Sequence, residues 1–560
     1  MINPAINQAL AAEYRGRGLW GDASLHDYWR LTVRSAPARE AVIDARGNRW
    51  TYAQVEARAA ALAGHLRRAG VGAGDAVTVQ LPNWAEFLVV DVACLKLGAV
   101  VNPALPQHRW TELTHRIDTC GSTALVMPDR FRSMDYGDLA ARLADRPSTL
   151  RAVLVVENEG PADGRFTSFR QAIGHQPLPA EEWAPGRGSD VAAVLFTSGS
   201  EAKAKGVMLS HDNVLSSERA FAYDLNIGHA DRMFMPGPVG HATGFLHGVT
   251  MPYMVGATSV LLDVFSGAAA RDMIESERCT CAMGTTTVIR ELFDACDESG
   301  ARLSCLRKLC SGGAPVPRSL LRRALSFGIR LHSIYGSTES APHTLTRPSD
   351  PEERVVATDG RAVTGTDIKV VDPATRATLP PGREGEEASR GPAVFLGYLG
   401  QPGLTEKVLD QDGWYYSGDL GVLDESGYLR ITGRIKDVIV RGGENISAIE
   451  VEEIMREHPD VYNVAVVAMP SRRLGETGCA YVVQPPGAPP LELAELRAFF
   501  NSRGVAKYKI PERIEIVDAL PMTPTGKIRK AELRARVAAR LAAEGELAEG
   551  ELVGEGAAGA

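Results

Sequence analysis

Aromatic residues are scarce, at 6% of 560 positions, and nowhere is there an apolar run long enough to span a bilayer. Long basic runs are missing too. Lys and Arg number 61 against 69 Asp and Glu, a formal charge of −8, which argues against a nucleic-acid surface as the main business. The eight cysteines (94, 120, 279, 281, 296, 305, 310 and 479) include no C-x-x-C pair. Cys279 and Cys281 stand too close for a zinc knuckle, so reduced structural thiols are expected. The opening MINPAINQAL lacks the basic region and apolar core of a signal peptide, and a cytoplasmic protein without an integral membrane segment is expected. A chain of 560 residues exceeds what one hydrophobic core serves, so two or more domains are expected.

What is present is organised around residues 195–207, LFTSGSEAKAKGV. An apolar run, 191–196, reads as a buried parallel strand and delivers Thr197, Ser198, Gly199, Ser200, Lys203 and Lys205 in quick succession. Small residues expose backbone N–H groups to an anion, hydroxyls add donors and lysines add charge: the makings of a phosphate cradle. It is not the common P-loop, because Lys205 stands between Ala204 and Gly206 instead of between Gly and Ser/Thr. Nor does the loop contain G-x-G-x-x-G. A solvated surface loop has the same composition, so the loop alone leaves both readings open.

Strand and helix patterns alternate through the first two-thirds of the chain, as in a parallel, doubly wound α/β sheet. Strands are expected at 76–81, 99–101, 123–127, 150–156, 258–262, 307–310 and 331–334, and helices at 50–70, 84–97, 211–225, 268–277 and 319–327. Residues 283–288 read as a Gly/Thr turn. Two strands empty into small-residue loops, SGGAPV (311–316) and YGSTES (335–340), and ligands sit at the carboxyl ends of strands in open parallel sheets. From about 360, short β-like runs among many glycines suggest a small β-barrel-like subdomain. After Gly433 the pattern becomes a small α+β unit, with Ser447 and Glu450 forming an S-x-x-E helix start. We therefore expect a large N-terminal domain at 1–434, a small one at 435–540, and a disordered acidic tail at 541–560.

Taken in order, the loop, SGGAP, YGSTE, YYSGDL (415–420), GRIKDVIVRGGENISAIEVE (433–452) and PMTPTGKIRK (521–530) resemble the landmarks of the adenylate-forming superfamily of acyl- and aryl-CoA synthetases, adenylation domains and luciferases. The resemblance covers roughly residues 25–535, and the C-terminal third is most similar to short- and medium-chain acyl-CoA synthetases. Two departures stand out: Ala202 replaces the usual Gly and Ala204 the usual Pro of the loop.

The resemblance implies an ATP- and Mg²⁺-dependent acid–thiol ligase. Thr197, Ser198, Gly199, Ser200 and Lys205 would embrace the ATP phosphates, and Gly312, Gly313 and Ala314, with Tyr335, Gly336 and Ser337, would flank the adenine. Thr338 would touch the α-phosphate, Glu339 with Thr197 would hold Mg²⁺, Asp419 would accept the ribose hydroxyls, and Arg434 would bind ribose or phosphate. Lys527 would reach the carboxylate and α-phosphate in the first step. The hinge would fall at Lys436, making the small domain at 435–540 mobile, with Arg441, Gly442 and Gly443 brought to a pantetheine channel afterwards. For the acid, His241 would gate the carboxylate, and Gly244, Phe245, His247, Gly248, Gly284, Thr285, Gly312 and Ser337 would form walls whose glycines leave room for a bulky acid. An aromatic, alicyclic or short-to-medium aliphatic monocarboxylic acid is expected, with CoA as acceptor. An acid–AMP ligase loading a carrier protein, and a weakly catalytic nucleotide-binding regulator, are the alternatives.

Overall fold

The apolar runs are strands, and they collect into two large sheets. A computed structural model describes residues 7–157, 166–197, 204–523 and 527–544. Among these, one sheet has eight strands, and its centre is the parallel set Val191–Phe196, Val100–Pro103, Ala76–Val79, Ala124–Pro128 and Ala152–Val156. The other has nine, with Thr258–Leu261, Arg232–Met235, Cys281–Gly284, Lys308–Gly312 and Leu331–Ser337 running parallel. Val191–Phe196, Ala76–Val79 and Ala124–Pro128 are buried from end to end and, Thr78 apart, apolar, as strands covered on both faces must be.

Helices punctuated by capping residues fill the space between the sheets. Glu86–Leu97 is buried along its whole length and stops at Gly98, which takes the left-handed conformation (φ 64°) that closes a helix. Ser210 caps His211–Asp224, its hydroxyl accepting from the N–H of Asn213. Inside the core Lys96 is fully buried, its ammonium 2.6 Å from Glu56 and 3.6 Å from the Trp183 ring centroid. Trp29 donates to the same Glu56 at 2.7 Å and packs on Tyr52 and Tyr253.

Several expectations are corrected here. Residues 283 and 284, read as the start of a turn, end the central strand Cys281–Gly284, and the helix that follows begins already at Thr286 and runs to Ser299. Gly206–Ser210 pairs antiparallel with Val191–Phe196 in the eight-stranded sheet. The glycine-rich region after 360 is a four-stranded antiparallel sheet with the path Asp367–Val371, Glu384–Arg390, Tyr415–Leu423, Leu429–Arg434. A short 3₁₀ turn, Ile435–Asp437, leads to the C-terminal unit, a five-stranded sheet with Ala448–Met455 and Leu493–Ser502. Ser447 caps the first of these helices. The chain then continues in a helix, Lys530–Ala543, whose Leu541 is buried, so the expected tail does not begin at 541; residues 545–560 lie outside those described.

Trp29→Ala removes a fully buried ring and the donor to Glu56. We expect a loss of about 3–5 kcal/mol in stability, read as a lowered midpoint in urea.

Candidate active site

Where the carboxyl ends of the two sheets face the C-terminal unit lies a cleft of about 1540 Å³. The eight-stranded sheet contributes Thr197 and Lys205, at adjacent ends of its paired strands Val191–Phe196 and Gly206–Ser210; Ser198, Gly199 and Ser200 lie outside the described residues. From the nine-stranded sheet come Met283, Gly312, Gly313, Ile334, Gly336 and Ser337. Thr338 and Glu339 project from the turn that joins Leu331–Ser337 to Ala341–Leu345. That turn is tight: a Cβ on Gly336 would stand 2.1 Å from the Ala341 carbonyl oxygen. The four-stranded sheet adds Asp419 and Arg434, cross-strand partners, and the connecting turn adds Lys436.

Lys527 belongs to the C-terminal unit yet lines the same cleft, its Cε 3.6 Å from where a Cβ of Gly313 would be. Its backbone is tied to Thr523: the Thr523 N–H donates to the Lys527 carbonyl at 2.7 Å and the Lys527 N–H to the Thr523 hydroxyl at 3.0 Å. Burial lowers its pKa, Arg434 adds to that, and Asp419 and Glu339 pull the other way. Glu339, Asp419 and Lys527 thus converge on one cleft.

Glu339 is held from both ends. Its carbonyl accepts from the N–H of Phe395 at 2.7 Å, and its carboxylate accepts from the Tyr398 hydroxyl at 2.8 Å. The Lys205 ammonium lies 4.6 Å from the Tyr398 ring centroid, so one tyrosine contacts both the loop lysine and the acid. Sequence reasoning missed Tyr398, which sits on the two-residue strand Gly397–Tyr398 against Gly206–Ser210. Asp419 has a partner on each oxygen: Arg434 Nε donates at 2.7 Å and the Tyr335 hydroxyl at 2.9 Å.

His241 lines the cleft, and its pKa is lowered to about 3 by burial, then by Lys527 and Arg116. The imidazole is neutral at pH 7. Its Nδ1 accepts from the Thr243 N–H at 3.3 Å, which assigns the proton to Nε2 and makes that atom a donor. Arg116, also unanticipated, lines the cleft with Nη1 on the Pro103 carbonyl at 2.7 Å.

Other expected residues are elsewhere. Gly244, Phe245, Gly248, Gly284 and Thr285 are not among the described residues that line the cleft. Their glycines admit neighbouring protein atoms instead of leaving room: a Cβ would stand 2.2 Å from the Pro238 oxygen at Gly244, 2.5 Å from Met235 at Gly248 and 2.8 Å from Val288 at Gly284. Phe245 packs edge-on against Phe87 in the core. Of the expected walls, His247, Gly312 and Ser337 line the cleft, joined by Leu246 and Met283. Ala314 is half-buried outside the wall. Gly442 and Gly443 (φ 57° and 92°) form the two-residue turn between Ile439–Arg441 and Glu444–Ile446, and Arg441 is paired with Glu512 at 2.6 Å, away from the cleft wall.

Residues 29–399 match the family model described as AMP-binding enzyme, and residues 450–527 match that of the AMP-binding enzyme C-terminal domain. The chain belongs to the AMP-binding enzyme family. Among relatives of this AMP-binding enzyme is the medium-chain fatty-acid–CoA ligase of Escherichia coli (strain K12), 46% identical over 540 residues, covering 96% of this chain and 95% of that protein. A feruloyl-CoA synthase of Amycolatopsis is 34% identical over 491 residues, covering 88% and 94%. Among solved structures, ATP-bound MatB from Rhodopseudomonas palustris superposes with a TM-score of 0.84 at 28% identity, covering 92% of this chain and 99% of that one. No helix among the described residues is long and apolar enough to cross a membrane.

The folded pKa of His241, about 3, lies below the ordinary value of 6.5. Between the two the unfolded chain takes up a proton that the folded one refuses, so the stability this group contributes above 6.5 is lost as pH falls. In His241→Gln the urea midpoint should fall less steeply from pH 7 to pH 4 than in the parent protein.

Proposed function

We propose that this protein is an ATP-dependent carboxylic acid–CoA ligase that forms an acyl-adenylate and passes the acyl group to the CoA thiol. The observation that carries this reading is the convergence of Lys205, Glu339, Asp419, Arg434 and Lys527 on one cleft. Its chemistry fits the demand. A carboxylate attacking a phosphate brings anion against anion, so the barrier is largely electrostatic and preorganised cations lower it. Lys205 with Thr197, Ser198, Gly199 and Ser200 would take the β- and γ-phosphates, and Lys527 the α-phosphate and the incoming carboxylate. Loss of hydration and the nearness of Arg434 depress the Lys527 pKa, and an arriving anion offsets both. Thr338 would donate to the α-phosphate, and Gly312 and Gly313, with Gly336 and Ser337, would receive adenine.

Mg²⁺ belongs to this proposal as well. The donors suit a hard cation: Glu339 has one oxygen on Tyr398 and a second without a hydrogen bond from the described protein, and Thr197 adds a hydroxyl. When bound there, the ion would neutralise phosphate oxygens and ease departure of pyrophosphate. His241, neutral with Nε2–H free to donate, would orient the carboxylate without carrying a proton away from it. Leu246, Met283 and Ile334 give the acid an apolar bed, which supports a monocarboxylic acid with an aromatic, alicyclic or short-to-medium aliphatic body.

The proposed division is an N-terminal domain, 1–434, and a mobile C-terminal domain that begins at 435 and includes the helix Lys530–Ala543, hinged at Lys436 in the 3₁₀ turn Ile435–Asp437. The arrangement described holds Lys527 in the cleft, as adenylation requires. Rotation would withdraw it and bring Arg441, Gly442 and Gly443 toward the thiol.

Acid-dependent exchange of labelled pyrophosphate into ATP tests the ligase reading, and its absence across a broad acid panel would sink it. Adding CoA or a carrier protein then identifies the acceptor by the thioester formed. Lys527→Ala should slow adenylation by about 10²–10³-fold yet leave thioester formation from supplied acyl-adenylate near the parent rate. Equal losses in both half-reactions would contradict the role given to Lys527.

A further inference from the structure

Behind the cleft wall runs a line of buried hydrogen bonds that the roles above leave unused. The Tyr335 hydroxyl lies 2.9 Å from Oδ2 of Asp419 and 3.1 Å from Oε2 of Glu387. A phenol has one proton, so it donates to one carboxylate at a time. Glu387 is fully buried, and both its oxygens lie 3.0 Å from Nδ1 of His343, itself fully buried. On its far side His343 contacts the Ser340 hydroxyl through Nε2, and its ring meets that of Tyr335 edge-on at 5.0 Å. Two carboxylates therefore compete for one phenol proton. One faces the cleft, and the other is sealed behind it and held by an imidazole.

Sugar hydroxyls reaching Asp419 come as donors and need its lone pairs. In the structure those oxygens already accept from Arg434 and Tyr335. Were Asp419 the only acceptor within reach, yielding it would leave a buried O–H unpaired, a costly state.

We propose that Glu387, held by His343, is a positioning residue for the nucleotide: it offers the Tyr335 hydroxyl a second acceptor, so the hydroxyl turns away from Asp419 as the sugar arrives. This rests on the reading of Asp419 as the sugar-binding carboxylate. The hydroxyl rotates about its C–O bond, and no proton changes residue. His343 is needed because its Nδ1, 3.0 Å from both oxygens, fixes the buried carboxylate in the orientation that meets the Tyr335 hydroxyl. Neither Glu387 nor His343 lines the cleft, and both are fully buried, so both would act through Tyr335.

The test is calorimetric binding of AMP and of 2′,3′-dideoxy-AMP, whose affinity ratio reports the grip on the sugar hydroxyls. The parent protein should favour AMP. Glu387→Met should shrink that preference by roughly tenfold, the scale of one hydrogen bond to a charged group. Adding Tyr335→Phe, which removes the competing hydroxyl, should restore it; a purely structural role for Glu387 gives no such rescue. If Glu387→Met does not unfold cooperatively in urea, His343→Phe carries the same comparison with the same expected loss and rescue. A parent protein that binds both nucleotides equally removes the sugar-site reading and this proposal together. A parent that discriminates, with a variant whose ratio is unchanged or is not restored by Tyr335→Phe, overturns the proposal alone.

Discussion

One ammonium group, carried by the last part of the chain, lies in the electrostatic field of two carboxylates and a guanidinium brought from three other segments. Lys527 feels Arg434 as a repulsion and Asp419 and Glu339 as attractions, and burial removes the water that would screen all three. Such a constellation has no reason to form in an ordinary surface cleft, where like and unlike charges remain solvated. It demands that the two sheets, the antiparallel sheet and the C-terminal unit stop their strands at one place. The fold is the scaffolding for that meeting.

The scaffolding is stiff where the charges attach. Glu339 is fixed through its carbonyl and its carboxylate, Tyr398 links it to Lys205, and Asp419 is braced on both oxygens. The carboxylates keep their orientation because their partners are themselves buried or strand-bound. Side chains held in this way need little rearrangement when charge develops opposite them, the condition under which electrostatic catalysis is strongest.

Much of this was legible in the sequence, and the reasons differ from residue to residue. The strand Val191–Phe196 could be read to its ends because an unbroken apolar run is bounded by Asp190 on one side and Thr197 on the other. The helix opening at Ser210 and the stop at Gly98 were legible because caps depend on local chemistry. Cys281–Gly284 was not, since its small residues look like a turn and only the neighbouring strands make it a ladder. Tyr398 was invisible for a related reason: 59 positions separate it from Glu339, and a two-residue strand has no periodicity to detect. The glycines expected to widen the acyl pocket were misjudged because a glycine makes way for whatever packs against it, which only the neighbours reveal. The same holds for Arg116 and for the His343–Glu387 pair. Motifs reported which residues gather at the cleft, and long-range packing reported what holds them there.

The cross-strand pairing of Asp419 with Arg434 has one more implication. Arg434 is the last residue of its strand, and the 3₁₀ turn at 435–437 begins immediately after it. Any swing of the C-terminal unit about that turn pulls first on the guanidinium that steadies Asp419. Under the roles proposed above, the hold on the sugar and the attitude of the smaller unit would be parts of one lever, and departure of the spent nucleotide would be geared to the proposed swing.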